Sequence, residues 1–435
     1  MSFKRALSFT GISIVMAGSL TAMTVPYVAA AAPVTLTIST WDSGAGLKPY
    51  QEAIKEFEKL HPGIKVNLQS IQSQYYLPKV LTEMANGSAP DLMLVGDSNV
   101  SEFVNSGLLQ NLSPLFAHHT DGLNSKYFYP SVLKMGNING HQYFVPKDWS
   151  DEAVLYNKTM FQKAHVPYPK AGWTLNQFVK DAAALTIAKS GHVQQYGAEL
   201  PGTWLRAGLE YWVSAYGGNI LDKGGHSVSG ALNSAKTEKA IESFIDVYRS
   251  HPNLSPSPQA MNSTFQNLDL FLTKRIAMTM TGPWNVNEYK QAGIKFGVAP
   301  MPIGPVGKPM TQMFWAGFAV YKNSSHVQQA DELLAFFASQ KWAKIDWQWA
   351  MPALKGPGVR LMEKNNPMIK EFFNAASVAN PITPLGTLNW GKDVQPVLQN
   401  MIESGVENPK ANVKSLIASA VSQIDTNLKQ DDPQK

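Results

Sequence analysis

The chain has 435 residues, a formal net charge of +5, 16% charged residues and no cysteine. So slight a charge argues against a nucleic-acid or acidic-polymer partner, and without cysteine there is neither a disulfide nor a thiol for a lipid anchor. Charged side chains fall below the ~25% usual for soluble domains. The chain carries instead 11 Trp, 15 Tyr and 19 Phe, and aromatic rings among neutral polar groups suit an uncharged, hydroxyl-rich ligand.

Lys4 and Arg5 lead into an apolar run from Ala6 to Val25, which Pro26 breaks before Val28-Ala29-Ala30-Ala31-Ala32. A positive start, an apolar middle and a small-residue end predict a secretory signal peptide over residues 1–32 and a free periplasmic product. Ser8, Thr10, Ser13, Ser19, Thr21 and Thr24 dilute the run too much for a membrane span. The remainder is longer than single cores usually grow, so two domains are expected.

Val34, Leu36 and Ile38 alternate with Thr35, Thr37 and Ser39, a strand pattern ending at Trp41-Asp42. Tyr50, Ile54, Phe57 and Leu60 fall at helical spacing over Lys48 to Leu60, and His61-Pro62-Gly63 stops that helix. Ile64, Val66 and Leu68 alternate as a second strand. A second helix is expected from near Pro78 through Met84, and Asp91 to Val95 reads as a buried strand. This β-α-β-α-β order implies a parallel sheet flanked by helices. Ligands of such sheets collect beyond the carboxyl ends of the strands, which singles out Trp41-Asp42-Ser43 and Gly96-Asp97-Ser98-Asn99. Asn139-Gly140 predicts a hairpin turn, Trp173 to Tyr248 a helix-rich region, Met278 to Met280 and Phe296 to Pro300 short strands, Phe318 to Tyr321 another, and Asp331 to Trp342 an amphipathic helix.

Other chemistry finds little support. There is no His-x-x-x-His metal pair, no Gly-x-Ser-x-Gly elbow and no P-loop, and His118-His119 are adjacent, so they do not face one another on a helix. No metal and no cofactor are expected.

Several segments carry a family resemblance. Phe57-Glu58-Lys59-Leu60-His61-Pro62-Gly63-Ile64-Lys65-Val66, Ala89-Pro90-Asp91-Leu92 with Ser106-Gly107-Leu108-Leu109, Val154-Leu155-Tyr156-Asn157-Lys158 with Trp173-Thr174, Ala277 to Trp284, and Met351-Pro352-Ala353 run in order along the chain. Together they resemble the family 1 extracellular solute-binding proteins of ABC importers, the maltose-binding-protein type. The resemblance implies a two-lobed α/β periplasmic-binding-protein fold (type II-like), each lobe a mostly parallel sheet flanked by helices. It maps the N-terminal lobe to residues 33–148 plus 299–348 and the C-terminal lobe to 153–296 plus 353–435. Hinge crossings are expected near Trp149–Glu152, Phe296–Val298 and Ala350–Ala353. The implied function is to bind a sugar or oligosaccharide in the inter-lobe cleft as a monomer, close around it and hand it to the permease subunits, with no catalysis.

A sugar ring offers an apolar C–H face to an aromatic plate and an equator of hydroxyls to Asp and Asn. Trp284 follows Gly282-Pro283 on a loop, and in the resembling family the Trp of this segment stacks on sugar. Trp41 is expected to stack, or else to cap the sheet edge. Asp42, Asp97 and Asn99 are expected to accept or share hydrogen bonds, with a helix N-cap as the alternative for Asp97. The resemblance puts Asp148 and Trp149 on the first crossing beside the cleft. Trp204, Trp315 and Trp390 complete the candidates, Trp390 as pocket floor. Trp342, Trp347 and Trp349 are expected to be packing residues. Two alternatives stay open. One is a glycerol 3-phosphate or glycerophosphodiester ligand in the same fold, for which Arg206 is the available cation. The other is an exported glycoside hydrolase, which needs a carboxylate pair at the scissile bond.

Overall fold

The computed structural model describes residues 33–202, 205–223, 225–266, 268–347, 349–365, 367–369, 371–372, 379–380 and 390–430. The expected leader (1–32), Trp204 and the segment 381–389 lie outside these. Strands β1 (Val34–Thr40) and β2 (Ile64–Ser70) pair in parallel from Val34↔Ile64 to Thr40↔Ser70. The helix Lys48–Leu60 between them has Pro49 in its first turn and buries Tyr50, Ala53 and Phe57. Pro is tolerated there because that N–H has no helical partner to lose. The next helix spans Ser73–Ala85 and so begins before Pro78, which lies inside it. Inside a helix proline gives up one i→i−4 hydrogen bond and its ring crowds the i−4 carbonyl, and here packing of Tyr76, Val80 and Met84 carries the helix through.

Strand β3 (Leu92–Gly96) lies beside β1, with Ile38 opposite Leu92. The large sheet is completed by β4 (Val145–Asp151), β8 (Thr311–Val320) and β9 (Met351–Pro352), in the order β9-β4-β8-β3-β1-β2, with Ala379–Asn380 pairing β8 off this path. A small sheet holds β5 (Ala153–Asn157) between β6 (Met278–Thr281) and β7 (Phe296–Ala299). The two-sheet α/β architecture is the expected one, but parallel pairing is not general. β8 runs antiparallel to β3 and β4, and both pairings of the small sheet are antiparallel. The long excursion from β5 to β6 makes either direction reachable, so helix–strand alternation at the start of the chain does not fix direction later.

The sheets meet at Glu152, the one residue between β4 and β5. Its N–H donates to Thr311 Oγ1 at 3.0 Å, and that hydroxyl donates to the Glu152 carbonyl at 2.7 Å. The second passage lies later than expected. Phe296–Ala299 is still paired to β5. Trp173 Nε1 then donates to the Pro300 carbonyl at 2.7 Å, and Ile303 N–H to Trp173 O at 2.8 Å, so 300–306 stays with the small sheet until Thr311 enters the large one. The segment after β9 also departs from expectation. Leu354 bridges to Phe128, and the helix Pro357–Asn365 packs on β9 and on the helix Gln340–Asp346, on the large-sheet side, whereas Trp390, Val394 and Leu398 belong to a second core. The expected single helix Asp331 to Trp342 is two, Val327–Phe337 and Gln340–Asp346. Ser339 ends the first and caps the second by accepting from Trp342 N–H at 3.3 Å.

Asp151, beside the junction, is fully buried, and neither carboxylate oxygen accepts a hydrogen bond. Burial pushes its pKa up to about 9. The folded protein therefore keeps a proton that the unfolded chain releases near the ordinary value of about 3.9. Folded stability thus falls as pH rises from about 4 to about 9. Asp151→Asn removes that loss. Its melting temperature is expected to match the wild type at pH 4 and to exceed it by ~2 °C or more at pH 8, read by differential scanning calorimetry at the two pH values.

Candidate functional site

A cleft of about 520 Å³ opens between the sheets, within the range of small-molecule sites. The carboxyl ends of β1 and β3 supply Trp41, Asp42, Gly96, Asp97 and Asn99. The junction supplies Lys147, Asp148, Trp149 and Ser150, β8 supplies Phe314 and Trp315, and the loop after β6 supplies Pro283, Trp284 and Asn285.

Each indole has a seat built by glycine or by another ring. A Cβ on Gly96 would come within 3.3 Å of the Trp41 ring, and Tyr76 meets Trp41 edge-on at 5.2 Å. The Trp284 ring folds back over Gly282, where an added Cβ would sit 1.9 Å from it, and Phe314 meets it edge-on at 5.8 Å. Trp315 and Trp149 are direct cross-strand neighbours. They are backed by Phe144 at 5.7 Å and Tyr129 at 6.2 Å respectively. Trp41 and Trp284 stay half-exposed, whereas Trp149 and Trp315 are buried. Gly282→Ala is therefore expected to push the Trp284 indole off its seat and to weaken ligand binding about tenfold or more, measured by calorimetry; unchanged affinity would show that the seat does not matter.

The polar groups are held as firmly. Asp42 Oδ2 accepts from the Tyr50 hydroxyl at 2.6 Å and from Thr40 Oγ1 at 3.0 Å. Asp97 Oδ1 accepts from Ser98 Oγ at 3.0 Å, and its Oδ2 lies 3.5 Å from Arg206 Nη2. Asp97 does not cap a helix with its side chain. Burial pushes its pKa up, with Arg206 pulling the other way. Arg206, 3% exposed, stands on the other side of the molecule's waist. It is 3.4 Å from Glu210, donates to the Met313 carbonyl at 3.0 Å and lies over the Phe314 ring. Glu152 also faces it and is pushed well up by burial against Arg206's pull. On the floor, Lys147 Nζ is 2.5 Å from Asp148 Oδ2 and 3.8 Å from Asp346 Oδ2. Burial lowers the Lys147 pKa, but Asp148 and Asp346 outweigh it and the net shift is upward.

Of the candidates read from sequence, Trp41, Asp42, Asp97, Asn99, Asp148, Trp149, Trp284 and Trp315 line this one cleft. Trp204 is outside the described residues. Trp390 is a correction: it is 2% exposed in the second core and does not line the cleft. It opens a short π-helix, Trp390–Val394, that buries it, and a flanking Asn and Gly do not reveal that. Trp349 corrects the opposite way. It lies beyond the helix end at Asp346, half-buried, and lines the cleft. Tyr76, Lys147, Asn285, Phe314 and Asp346 were also missed. Phe314 and Asn285 adjoin the candidates Trp315 and Trp284, a usable signal. The Lys147–Asp346 pairing spans too much chain for any local pattern.

The family profile of bacterial extracellular solute-binding proteins matches residues 41–344. The chain belongs to that family. A putative binding protein of Brucella abortus is 29% identical over 320 residues, covering 72% of this chain and 73% of the relative. The maltodextrin-binding protein MdxE of Bacillus subtilis is 23% identical over 358 residues, covering 80% of this chain and 79% of the relative. An ABC substrate-binding protein from Listeria monocytogenes, solved in complex with cycloalternan, superposes with a TM-score of 0.81 at 23% identity. That superposition covers 91% of this chain and 99% of the other and shares the two-lobed fold. Among the described residues of this solute-binding protein, no helix is long and apolar enough to cross a membrane, and no group of three or more His, Asp or Glu is arranged to hold a metal ion.

Proposed function

We propose that this solute-binding protein is the periplasmic, monomeric receptor of an ABC importer and that its cleft takes an uncharged sugar or oligosaccharide for delivery to the permease subunits. One observation carries the reading: Trp41, Trp149, Trp284 and Trp315 line a single cleft together with Asp42, Asp97 and Asp148. Indole faces cover the C–H surface of a sugar ring, and fixed carboxylates take its hydroxyls. The relatives named for maltodextrin and solved with cycloalternan lean the same way. One lobe would rest on the large sheet and the other on the small, hinged at Glu152 and Thr311, and ligand touching both would favour the closed form.

The phosphate alternative loses Arg206, which is held by Asp97, Glu210 and the Met313 carbonyl and does not line the cleft; Lys147, which does line it, is paired with Asp148 and Asp346. The hydrolase alternative finds no support among the relatives, which are named as binding proteins. A thermal-shift screen against mono-, di- and trisaccharides and glycerol 3-phosphate tests the reading, with chromatography of the mixtures afterwards. Stabilisation by at least one neutral saccharide, recovered intact, is expected. Stabilisation by glycerol 3-phosphate alone, or cleavage of the saccharide, would overturn it.

A further inference from the structure

The floor of the cleft holds more negative charge than the chain supplies partners for. Asp42, Asp148 and Asp346 all line it, and the cation among them is Lys147. Lys147 is itself 5.6 Å from the Tyr50 ring centre and 5.9 Å from that of Trp342, so its ammonium is packed in place rather than free to swing. Asp148 takes the close contact at 2.5 Å, and Asp42 has the Tyr50 and Thr40 hydroxyls. Asp346 is left with least. It is 1% exposed, sits 3.8 Å from Lys147, and neither of its oxygens accepts a hydrogen bond within the chain. A buried carboxylate without donors is costly, and burial accordingly pushes Asp346 up to about 7. A ligand entering the cleft brings the missing donors.

We propose that Asp346 is a ligand-contact and specificity residue. With Asp42 and Asp148 it forms an acceptor floor that takes hydroxyl donors from the innermost ring of a saccharide and excludes saccharides carrying a carboxylate or phosphate there. The proposal rests on the saccharide reading above. Above pH 7, where Asp346 is ionised, an anionic substituent at this floor would add a further negative charge to three carboxylates with one ammonium among them, and the burial of these groups weakens screening of the repulsion. A hydroxyl satisfies Asp346 at no electrostatic cost.

The test has two arms. In the first, Asp346→Asn is titrated by calorimetry with the neutral saccharide that gives the wild type its largest thermal shift. At least a tenfold rise in Kd is expected, with a ligand-free melting temperature equal to or above that of the wild type, since a buried charge has been removed. A purely structural role would lower the melting temperature together with affinity, and an unchanged Kd would overturn the contact. In the second arm, which needs no variant, the wild type is screened with glucuronate- and galacturonate-bearing disaccharides beside their neutral counterparts. Neutral members alone are expected to stabilise it. Stabilisation by an acidic member above its neutral counterpart overturns the proposal and leaves the saccharide reading intact. If no saccharide of either kind stabilises the protein, the saccharide reading itself fails and the proposal falls with it.

Discussion

Arg206→Met is expected to lower folded stability by about 3–5 kcal/mol, the usual cost of removing one partner from a buried ionic group. The guanidinium is 3% exposed and lies 3.4–3.5 Å from Glu210 and Asp97. Glu152, fully buried and pushed up by burial, also depends on its field. Methionine fills much of the volume but leaves three acids in a dry waist with no cation. Their escape is to take up protons, which costs more as pH rises. At ~2 cal mol⁻¹ K⁻¹ of unfolding entropy per residue, a loss of this size lowers the melting temperature of a chain this long by roughly 4–6 °C. Calorimetry at pH 7.5 reads it directly. The deficit is expected to shrink at pH 5, where the acids are protonated more readily. A variant melting within ~1 °C of the wild type at pH 7.5 would mean that the cluster is solvated and that Arg206 does not tie the sheets together.

Trp284→Ala has the largest expected effect on binding. The indole is presented by the 3₁₀ turn Pro283–Asn285 after β6, stays half-buried, and packs on Gly282 beneath it and Phe314 at its edge. Its removal uncovers little core, so the ligand-free melting temperature is expected to hold within ~2 °C. In a saccharide complex the indole would cover an apolar ring face from the side opposite β1. Its loss is expected to raise Kd at least tenfold, ~1.4 kcal/mol or more, by titration calorimetry. Trp41→Ala is a less clean experiment, because Trp41 also packs on Tyr76 and Gly96 and its loss touches stability as well. Equal affinity of Trp284→Ala and wild type would remove Trp284 from the site.

What the sequence disclosed follows the reach of its signals. The helix Lys48–Leu60 and strands β1 to β3 came from alternation and 3.6-residue spacing, which are local, and the structure has them close to where the patterns fall. The end of β1 at Trp41-Asp42 and the end of β3 at Asp97 could then be put at the cleft from topology alone. Strand direction in the small sheet was not legible, since a long helical excursion separates β5 from β6. The second passage, expected from the resemblance near Phe296–Val298, could not be placed by local pattern either: residues 300–306 are pinned to the small-sheet side by Trp173, far away in the chain. Trp349 and Trp390 went opposite ways for want of a boundary. A helix that stops at Asp346 frees the first, and a π-helix that starts at Trp390 buries the second. The Lys147–Asp346 and Arg206–Asp97 pairs join residues far apart in the chain, so only the folded molecule reveals that one cation is packed into the cleft floor and the other into the waist behind it.

A crystal structure of the protein soaked with the neutral saccharide that stabilises it most would show where the sugar sits. Sugar density is expected between the sheets, with one ring face on Trp284 or Trp41 and ring hydroxyls within hydrogen-bond distance of Asp42, Asp97 or Asp148. Density for the saccharide on another surface, with these indoles packed against protein and the cleft holding solvent, would contradict binding in the cleft.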